Sequence, residues 1–323
     1  MWKRSSSASK SARIVCCLLA LILLLGTLGC AGRAEQPSGA ANLAFTDDLG
    51  RTVSLSETPK RVAALLGSFA EVWTLAGGSL CAAAADAWED YDLPLENAVS
   101  LGGAHSPSVE ALLAAAPDFV LASASTAADV ELMGTLEAAG IPTAYFDVDD
   151  FADYLRMLKI CTDLTGRKDL YEQNGVAVGE RIAEIKAEFA AANLPEEKKT
   201  VLLLRVSSGL VKAKGSSGTV LGEMLRDLGC VNIADSDETL LETLSVESVI
   251  RSEPYRIFVV PMGSDTDAAT ENLKRMIGEN PAWGTLAAVA ENRLHLMDRN
   301  LFNRKPNANW GTAYETLTEI LLK

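Results

Sequence analysis

The segment Ser108-Val-Glu-Ala-Leu-Leu-Ala-Ala-Ala-Pro-Asp-Phe-Val-Leu121 decides the fold, because its pattern recurs as Ser245-Val-Glu-Ser-Val-Ile-Arg-Ser-Glu-Pro-Tyr-Arg-Ile-Phe-Val-Val260. The copies lie 137 positions apart, and in each a glutamate precedes a proline by seven residues and an apolar run follows. A short capped helix that ends at a proline before a buried strand is a helix–strand unit of an α/β sheet. Two such units predict two similar lobes with room for a ligand between them.

The rest of the chain fits the same α/β plan. Helix–strand units resemble one another in general, but the shared Ser-Val-Glu and proline spacing favours a structural repeat. Short strands alternate with helices on both sides of a helical stretch that only Gly166 interrupts, which predicts parallel-rich sheets joined by one long helix, with a break near that glycine as the alternative. The expected bounds are 42–149 for the first lobe, 150–195 for the connecting helix and 196–323 for the second lobe.

The N-terminus has the features of a secretion signal. Basic side chains at Lys3, Arg4, Lys10 and Arg13 precede the apolar run 14–25, which is too short for a comfortable membrane span. Gly26-Thr27-Leu28-Gly29-Cys30 resembles the lipobox of bacterial lipoproteins, although Thr27 stands where leucine is usual. We therefore predict a signal peptide over 1–29, lipid attachment at Cys30 and a flexible tether over 30–41, with an uncleaved signal anchor as the alternative.

Charge and cysteine content exclude several classes of protein. The formal charge of −14 becomes −18 once the signal is removed, which argues against binding to nucleic acid or to anionic lipid. Contact with the membrane is then expected through the lipid anchor only. Cys81, Cys161 and Cys230 lie in apolar or helical contexts without close spacing, which predicts buried, unpaired thiols rather than disulfides.

Motifs of catalysis are missing from the sequence. It holds no Walker A loop, no G-x-G-x-x-G and no G-x-S-x-G elbow, and Gly215-Ser-Ser-Gly218 before a helix is a weak anion-binding signal. Two histidines, His105 in a loop and His295 in a predicted strand, do not make the usual multi-histidine zinc site. The sequence therefore predicts no catalytic residues, no resident metal and no intrinsic cofactor.

Glu110 and Glu247 occupy matching places in the two copies of the repeat. An acidic side chain in the first turn of a helix interacts favourably with the exposed N–H groups, which is a purely structural role. One carboxylate at the same corner of each lobe is also suited to two symmetric salt bridges with a dimeric partner. The second role requires the two glutamates to match across lobes, and the first does not.

The order of motifs resembles the iron-siderophore, haem and cobalamin class of solute-binding lipoproteins of ABC importers. It runs from the lipobox through Asp48-Leu-Gly-Arg51, Pro59-Lys-Arg-Val62 and both Ser-Val-Glu units to Pro281-Ala-Trp283. The resemblance covers nearly the whole mature chain. It implies two Rossmann-like lobes, a ligand cleft between them, a monomer, and docking of Glu110 and Glu247 to arginines of a permease dimer with its ATPase.

The resemblance also implies that loops at the carboxyl ends of strands wall the cleft. The ligand-binding residues expected from those loops are Ser68, Trp88, Tyr91, His105, Lys214, Ser216, Met262, Asn303 and Arg304. A few cations in an acidic protein suit an anionic iron chelate, and a ferric siderophore is the expected ligand, with the iron carried by the ligand itself. No cluster of several arginines is evident, so haem held by His105 and Met262, or a corrinoid stacked on Trp88, stays open.

The expected function is that of a non-enzymatic, extracytoplasmic receptor anchored to the bacterial cell membrane. Two hypotheses from other classes remain. One is a metal chelatase on the same scaffold, and the other is a sensory or interaction lipoprotein with an empty cleft.

Overall fold

A computed structural model describes residues 43–263 and 265–323. The predicted signal peptide, Cys30 and the tether therefore lie outside the described residues. Residues Leu43–Lys323 form one compact unit. Among the described residues, no helix is both long and apolar enough to cross a membrane.

The first lobe is a parallel sheet preceded by a hairpin. Alternating burial in the hairpin, and short buried runs in the sheet, match the predicted pattern of half-buried and fully buried strands. The sheet order is β5-β4-β3-β6-β7, with all neighbours parallel. The elements in chain order are β1 (Leu43–Thr46), β2 (Thr52–Leu55), β3 (Val62–Ala64), α1 (Gly67–Leu75), β4 (Leu80–Ala83), α2 (Asp86–Glu89), β5 (Val99–Ser100), α3 (Val109–Ala114), β6 (Phe119–Ser123), α4 (Ala127–Glu131), α5 (Met133–Ala138) and β7 (Thr143–Phe146).

The connector is not one continuous helix, and it breaks at the glycine that the sequence marked. Gly166 takes a left-handed conformation (φ 74°) and ends the first helix, and the Thr165 hydroxyl donates to the Ala76 carbonyl at 2.6 Å. The connector is therefore two helical stretches with a break at the glycine. These are α6 (Phe151–Thr165), then α7 (Lys168–Tyr171), which continues through a π-helical turn (Glu172–Val176) into α8 (Ala177–Ala191).

The second lobe repeats the plan with one antiparallel addition. Its sheet order is β10-β8-β11-β12, all parallel, and β9 pairs antiparallel with β8 in a hairpin. The elements are β8 (Thr200–Val206), β9 (Val211–Lys214), α9 (Val220–Asp227), β10 (Val231–Asn232), α10 (Glu238–Glu242), α11 (Val246–Ser252), β11 (Arg256–Pro261), α12 (Thr266–Glu279), α13 (Ala287–Ala290), β12 (Leu294–Leu296), α14 (Arg299–Phe302) and α15 (Trp310–Leu322).

The repeat extends to backbone conformation. Ser108 and Ser245 cap α3 and α11 by accepting from the N–H groups of Ala111 and Ser248. Each helix is followed by a non-glycine residue with positive φ, Ala116 at 45° and Glu253 at 41°, directly before the proline. The two units therefore share cap, helix, left-handed turn, proline and buried strand.

One apolar cluster joins both lobes to the connector. It packs one face of each sheet against α6, α8 and α15, and includes Phe119, Leu158, Leu203 and Trp310. Separate clusters cover the outer face of each sheet. Because a close-packed core deforms little, a shared core restrains movement of one lobe against the other.

Of the expectations about single residues, the one for Cys81 is adjusted and the one for His295 is confirmed. Cys161 and Cys230 are buried and free, as predicted, but the free Cys81 is only half-buried on β4. His295 lies on the edge strand β12 beside the Phe258 ring, where burial and the cations Arg256 and Lys323 lower its pKa.

Candidate functional site

A cavity of about 730 Å³ lies between the two sheets. Residues from both lobes line it. From the first lobe come loops that follow β3, β4, β5, β6 and β7, and from the second come Arg205, Gly218 in the loop after β9, and the loops after β11 and β12. Open α/β sheets bind ligands outside the carboxyl ends of their strands, so this cavity is at the expected place.

Six of the nine predicted ligand-binding residues line this cavity. They are Ser68, Tyr91, His105, Met262, Asn303 and Arg304. Met262 is partly exposed and His105 is exposed.

Three predicted residues do not line the cavity. Trp88 is half-buried on α2 and packs against the shared core. Ser216 is buried, and its backbone N–H donates to Asp235 at 2.7 Å. Lys214 is half-buried on β9, outside the lining.

Arg205 is a cleft residue that the sequence analysis missed. It stands near the carboxyl end of β8, and burial lowers the pKa of its guanidinium, opposed by the nearby Asp149 carboxylate. No hydrogen bond or salt bridge of its side chain occurs within the described residues. The signal was its place at the carboxyl end of a predicted strand, the edge where parallel sheets bind ligands.

Arg205 belongs to a group of cations on one face of the β8–β9 hairpin. Arg205 stands opposite Lys212 across the antiparallel pair, and Lys214 lies two residues further on the same face. Burial lowers the pKa of Lys214, and the charges of Arg205 and Lys212 lower it further. Like charges held together on this face of the hairpin repel one another, and an anion bound beside Arg205 would reduce that repulsion.

Two further arginines converge on one aspartate across the cleft. Asp90 of the first lobe accepts from Arg299 at 2.8 Å and also pairs with Arg304. Their side chains are only 13–15% exposed. Within the described residues, Arg299 Nε and Arg304 Nη1 are buried without an acceptor. One carboxylate therefore serves two guanidinium groups, and one nitrogen of each guanidinium has no acceptor in the described residues.

The segment after α14 is bound to the first lobe at several points. Lys305 pairs with Asp149 at 3.1 Å, and its carbonyl accepts a long hydrogen bond from the Tyr91 hydroxyl at 3.4 Å. Asn307 donates to the Ser68 carbonyl at 3.0 Å and to Glu71 at 2.6 Å. Burial raises the pKa of Tyr91 far above its usual value, so the phenol stays protonated and serves as a donor.

Acidic residues also line the cavity. Asp86 accepts from the Gly67 N–H at 3.0 Å, and burial raises its pKa. The close approach requires glycine, because a Cβ at position 67 would lie 2.7 Å from the Ala87 nitrogen. Glu89, Asp90 and Asp149 complete the acidic set.

The predicted docking glutamates are both exposed. Glu110 lies in the first turn of α3, and its side chain makes no hydrogen bond or salt bridge within the described part of the chain. Glu247, in the first turn of α11, accepts from the Ser245 hydroxyl at 2.9 Å. Its own backbone N–H and that hydroxyl lower its pKa. Because a crossover helix runs antiparallel to its sheet, each glutamate lies toward the carboxyl edge of its own sheet.

Comparisons with known proteins agree with this architecture. A Bacillus subtilis (strain 168) protein, YhfQ, provisionally named an ABC transporter substrate-binding lipoprotein, is 22% identical over 92% of this chain and 94% of its own. A periplasmic haem-binding protein from Pseudomonas aeruginosa superposes with a TM-score of 0.67 at 21% identity, covering 82% of this chain and 93% of that one.

A third relative extends the likeness in fold to another kind of binder. The catecholate-siderophore binding protein VctP from Vibrio cholerae superposes with a TM-score of 0.67 at 15% identity, over 87% of this chain and 99% of that chain. At these identities the solved structures establish a shared fold. The family described as periplasmic binding protein matches residues 62–301, and this chain belongs to that family.

Proposed function

We propose that this protein is an extracytoplasmic lipoprotein that captures an anionic iron chelate, a ferric siderophore in the first instance, and delivers it to the permease of an ABC importer. The observation that carries the proposal is the presence of three arginines, Arg205, Arg299 and Arg304, around one cavity of a strongly acidic chain. Planar guanidinium groups bind carboxylate and phenolate oxygens through paired hydrogen bonds.

The formal charges that line the cleft balance, four carboxylates against four cations, so the support for an anionic ligand comes from how these groups are paired. Asp90 is shared by Arg299 and Arg304, and Asp149 is engaged by Lys305, while Arg205 has no direct acceptor in the described residues. A ligand with several oxygen anions meets all three arginines. Arg205, on β8, is far in the chain from Arg299 and Arg304, which lie on α14 and in the loop after it, so no local sequence motif contains all three.

Haem is the second candidate ligand. It is favoured by one observation, that His105 and Met262 line the same cavity from opposite lobes. Both side chains are iron ligands in haem proteins. A corrinoid has less support, because Trp88 packs on the core instead of the cavity wall.

A ligand panel tests the proposal. The purified protein is titrated with ferric siderophores, with haem and with cobalamin while its tryptophan fluorescence and the ligand absorption spectrum are followed. We expect saturable binding of a ferric siderophore at one site and no change of its spectrum with time. A shifted Soret band on haem alone would transfer the assignment to haem. The chelatase hypothesis is tested by incubating the protein with a metal-free porphyrin and a divalent metal ion, where a progressive change of the porphyrin spectrum would support it.

Attachment to the membrane is proposed through Cys30, in a part of the chain outside the described residues. Cys30→Ser removes the acceptor for lipid, so we expect the protein to move from the membrane fraction to the soluble extracytoplasmic fraction. Retention in the membrane fraction would favour an uncleaved signal anchor. The matched control is Cys81→Ser, which leaves the lipobox intact.

A further inference from the structure

An exposed apolar side chain stands one turn after each proposed docking glutamate. Leu113 on α3 is 38% exposed and Ile250 on α11 is 39% exposed. Each lies three residues after its glutamate, and residues three apart share one face of a helix. Glu110 with Leu113, and Glu247 with Ile250, therefore form two acidic–apolar pairs.

The two apolar side chains occupy equivalent places in the repeat. Among the exposed large apolar side chains of the described residues, Leu113 and Ile250 are the only two that lie 137 positions apart. The preceding residues, Leu112 and Val249, are fully buried. Each helix therefore packs one face against the core, and Leu113 and Ile250 lie on the other, solvent-exposed face. Isolated exposed apolar residues are common, but a pair related by an internal repeat needs its own explanation.

We propose that Leu113 and Ile250 are docking contacts for a two-fold symmetric permease dimer that presents, twice, a cationic side chain beside an apolar socket. This inference rests on the proposed function and extends it from charge to shape. Charge complementarity selects that occupant, because both carboxylates are exposed and neither forms a salt bridge within the described residues. The twofold repetition selects a dimer over a single-site partner.

The carboxylates and the apolar side chains should contribute differently to docking. Exposed carboxylates guide the approach to a cationic surface and contribute modestly to affinity once screened by salt. Removing a branched apolar side chain from water contributes more, and that contribution does not fade with salt. The apolar pair therefore accounts for the affinity that remains at high ionic strength.

The test measures how protein variants bind and stimulate the permease–ATPase complex of its own cell, purified in lipid nanodiscs. The variant is Leu113→Ser with Ile250→Ser. The matched control is Val130→Ser with Leu241→Ser, which removes two apolar side chains of similar exposure (36% and 38%) that are not related by the repeat. Each protein is loaded with its ligand, and ligand affinity is measured in parallel.

We expect the Leu113/Ile250 variant to bind the complex at least about tenfold more weakly, with the loss persisting at high salt and ligand affinity unchanged. Equal behaviour of this variant and the control, while Glu110→Ala with Glu247→Ala loses binding, would overturn the inference and leave the proposed function standing. A wild-type protein that neither binds nor stimulates any permease–ATPase complex of its cell would contradict the proposed function itself.

Discussion

Substitution of one residue, Arg205, tests whether the ligand is an anion. We expect Arg205→Gln to weaken binding of an anionic ferric chelate about tenfold to a hundredfold, because a charged hydrogen bond in a partly desolvated cleft is lost. Isothermal titration measures the change. Arg167→Gln, an exposed arginine paired with Asp169 on the connector, is the control and should bind as the wild type does. Equal affinity of both variants would remove Arg205 from the ligand site.

Asp129 provides a prediction about pH. It is fully buried, and burial raises its pKa to about 7, opposed by the Ser123 N–H and assisted by the Asp86 carboxylate. A folded-state pKa above the ordinary value of 3.8 means that the folded protein binds the proton more tightly. The resulting stability is present below about pH 4 and is lost as the pH rises to about 7.

The substitution Asp129→Asn should abolish that pH dependence. Relative to wild type, the free energy of unfolding of the variant is expected to rise between pH 4 and pH 8 by about 2–4 kcal/mol. Urea unfolding across this range measures the difference. Glu131→Gln, exposed on the same helix, should show no such trend. Parallel curves for Asp129→Asn and wild type would show that the carboxyl group is ionised throughout.

Single residues also show where sequence reasoning about the cleft succeeds and fails. Tyr91, His105 and Arg304 were predicted because loops after strands were assigned to the cavity wall, and all three line it. Trp88 failed because a loop position does not fix the direction of a side chain, and on α2 it packs against the core. Arg205 was missed because it stands inside a strand, and only the loops that follow strands were assigned to the cavity wall.

At the level of secondary-structure elements, the two repeat units should lose similar free energies of unfolding when equivalent residues are substituted. Ala116 and Glu253 are exposed and hold positive φ before a proline, a conformation that β-branched residues tolerate poorly. Ala116→Val and Glu253→Val should each lower the free energy of unfolding by about 1–2 kcal/mol. The controls are Ala114→Val and Arg251→Val, at equivalent positions of the two helices α3 and α11 that precede these turns. Each should lower the free energy of unfolding by at most about 0.7 kcal/mol.

Chemical denaturation of the four variants compares the two units directly. A large loss in one lobe and none in the other would contradict the equivalence of the turns. Hydrophobic periodicity could not predict either turn, because alanine and glutamate rarely adopt a left-handed conformation and so do not indicate one in a sequence. The connector shows the opposite case, since Gly166 marked its break and the structure ends α6 there.

At the scale of the whole molecule, the duplicated architecture predicts that docking and ligand binding separate. Glu110→Arg with Glu247→Arg should reduce uptake to background, because like charges then face the expected cationic sites of the permease. Ligand affinity should be unchanged, since neither glutamate lines the cavity. Uptake of labelled chelate by cells, with titration of the purified variant, measures both quantities.

The control for that experiment keeps the change in net charge. Glu180→Arg with Glu319→Arg reverses two exposed carboxylates on α8 and α15 and should transport normally. Loss of uptake in both pairs would indicate a general effect of charge, and weakened ligand binding in the first pair would mean that the glutamates act on the cleft.

A structure of the protein with its ferric chelate bound would test whether the three arginines form the ligand site. We expect one chelate molecule in the cavity between the two sheets, with its oxygen anions within hydrogen-bond distance of Arg205 and of at least one of Arg299 and Arg304. A chelate bound outside that cavity, or held in it without contact to any of the three arginines, would contradict the proposed ligand site.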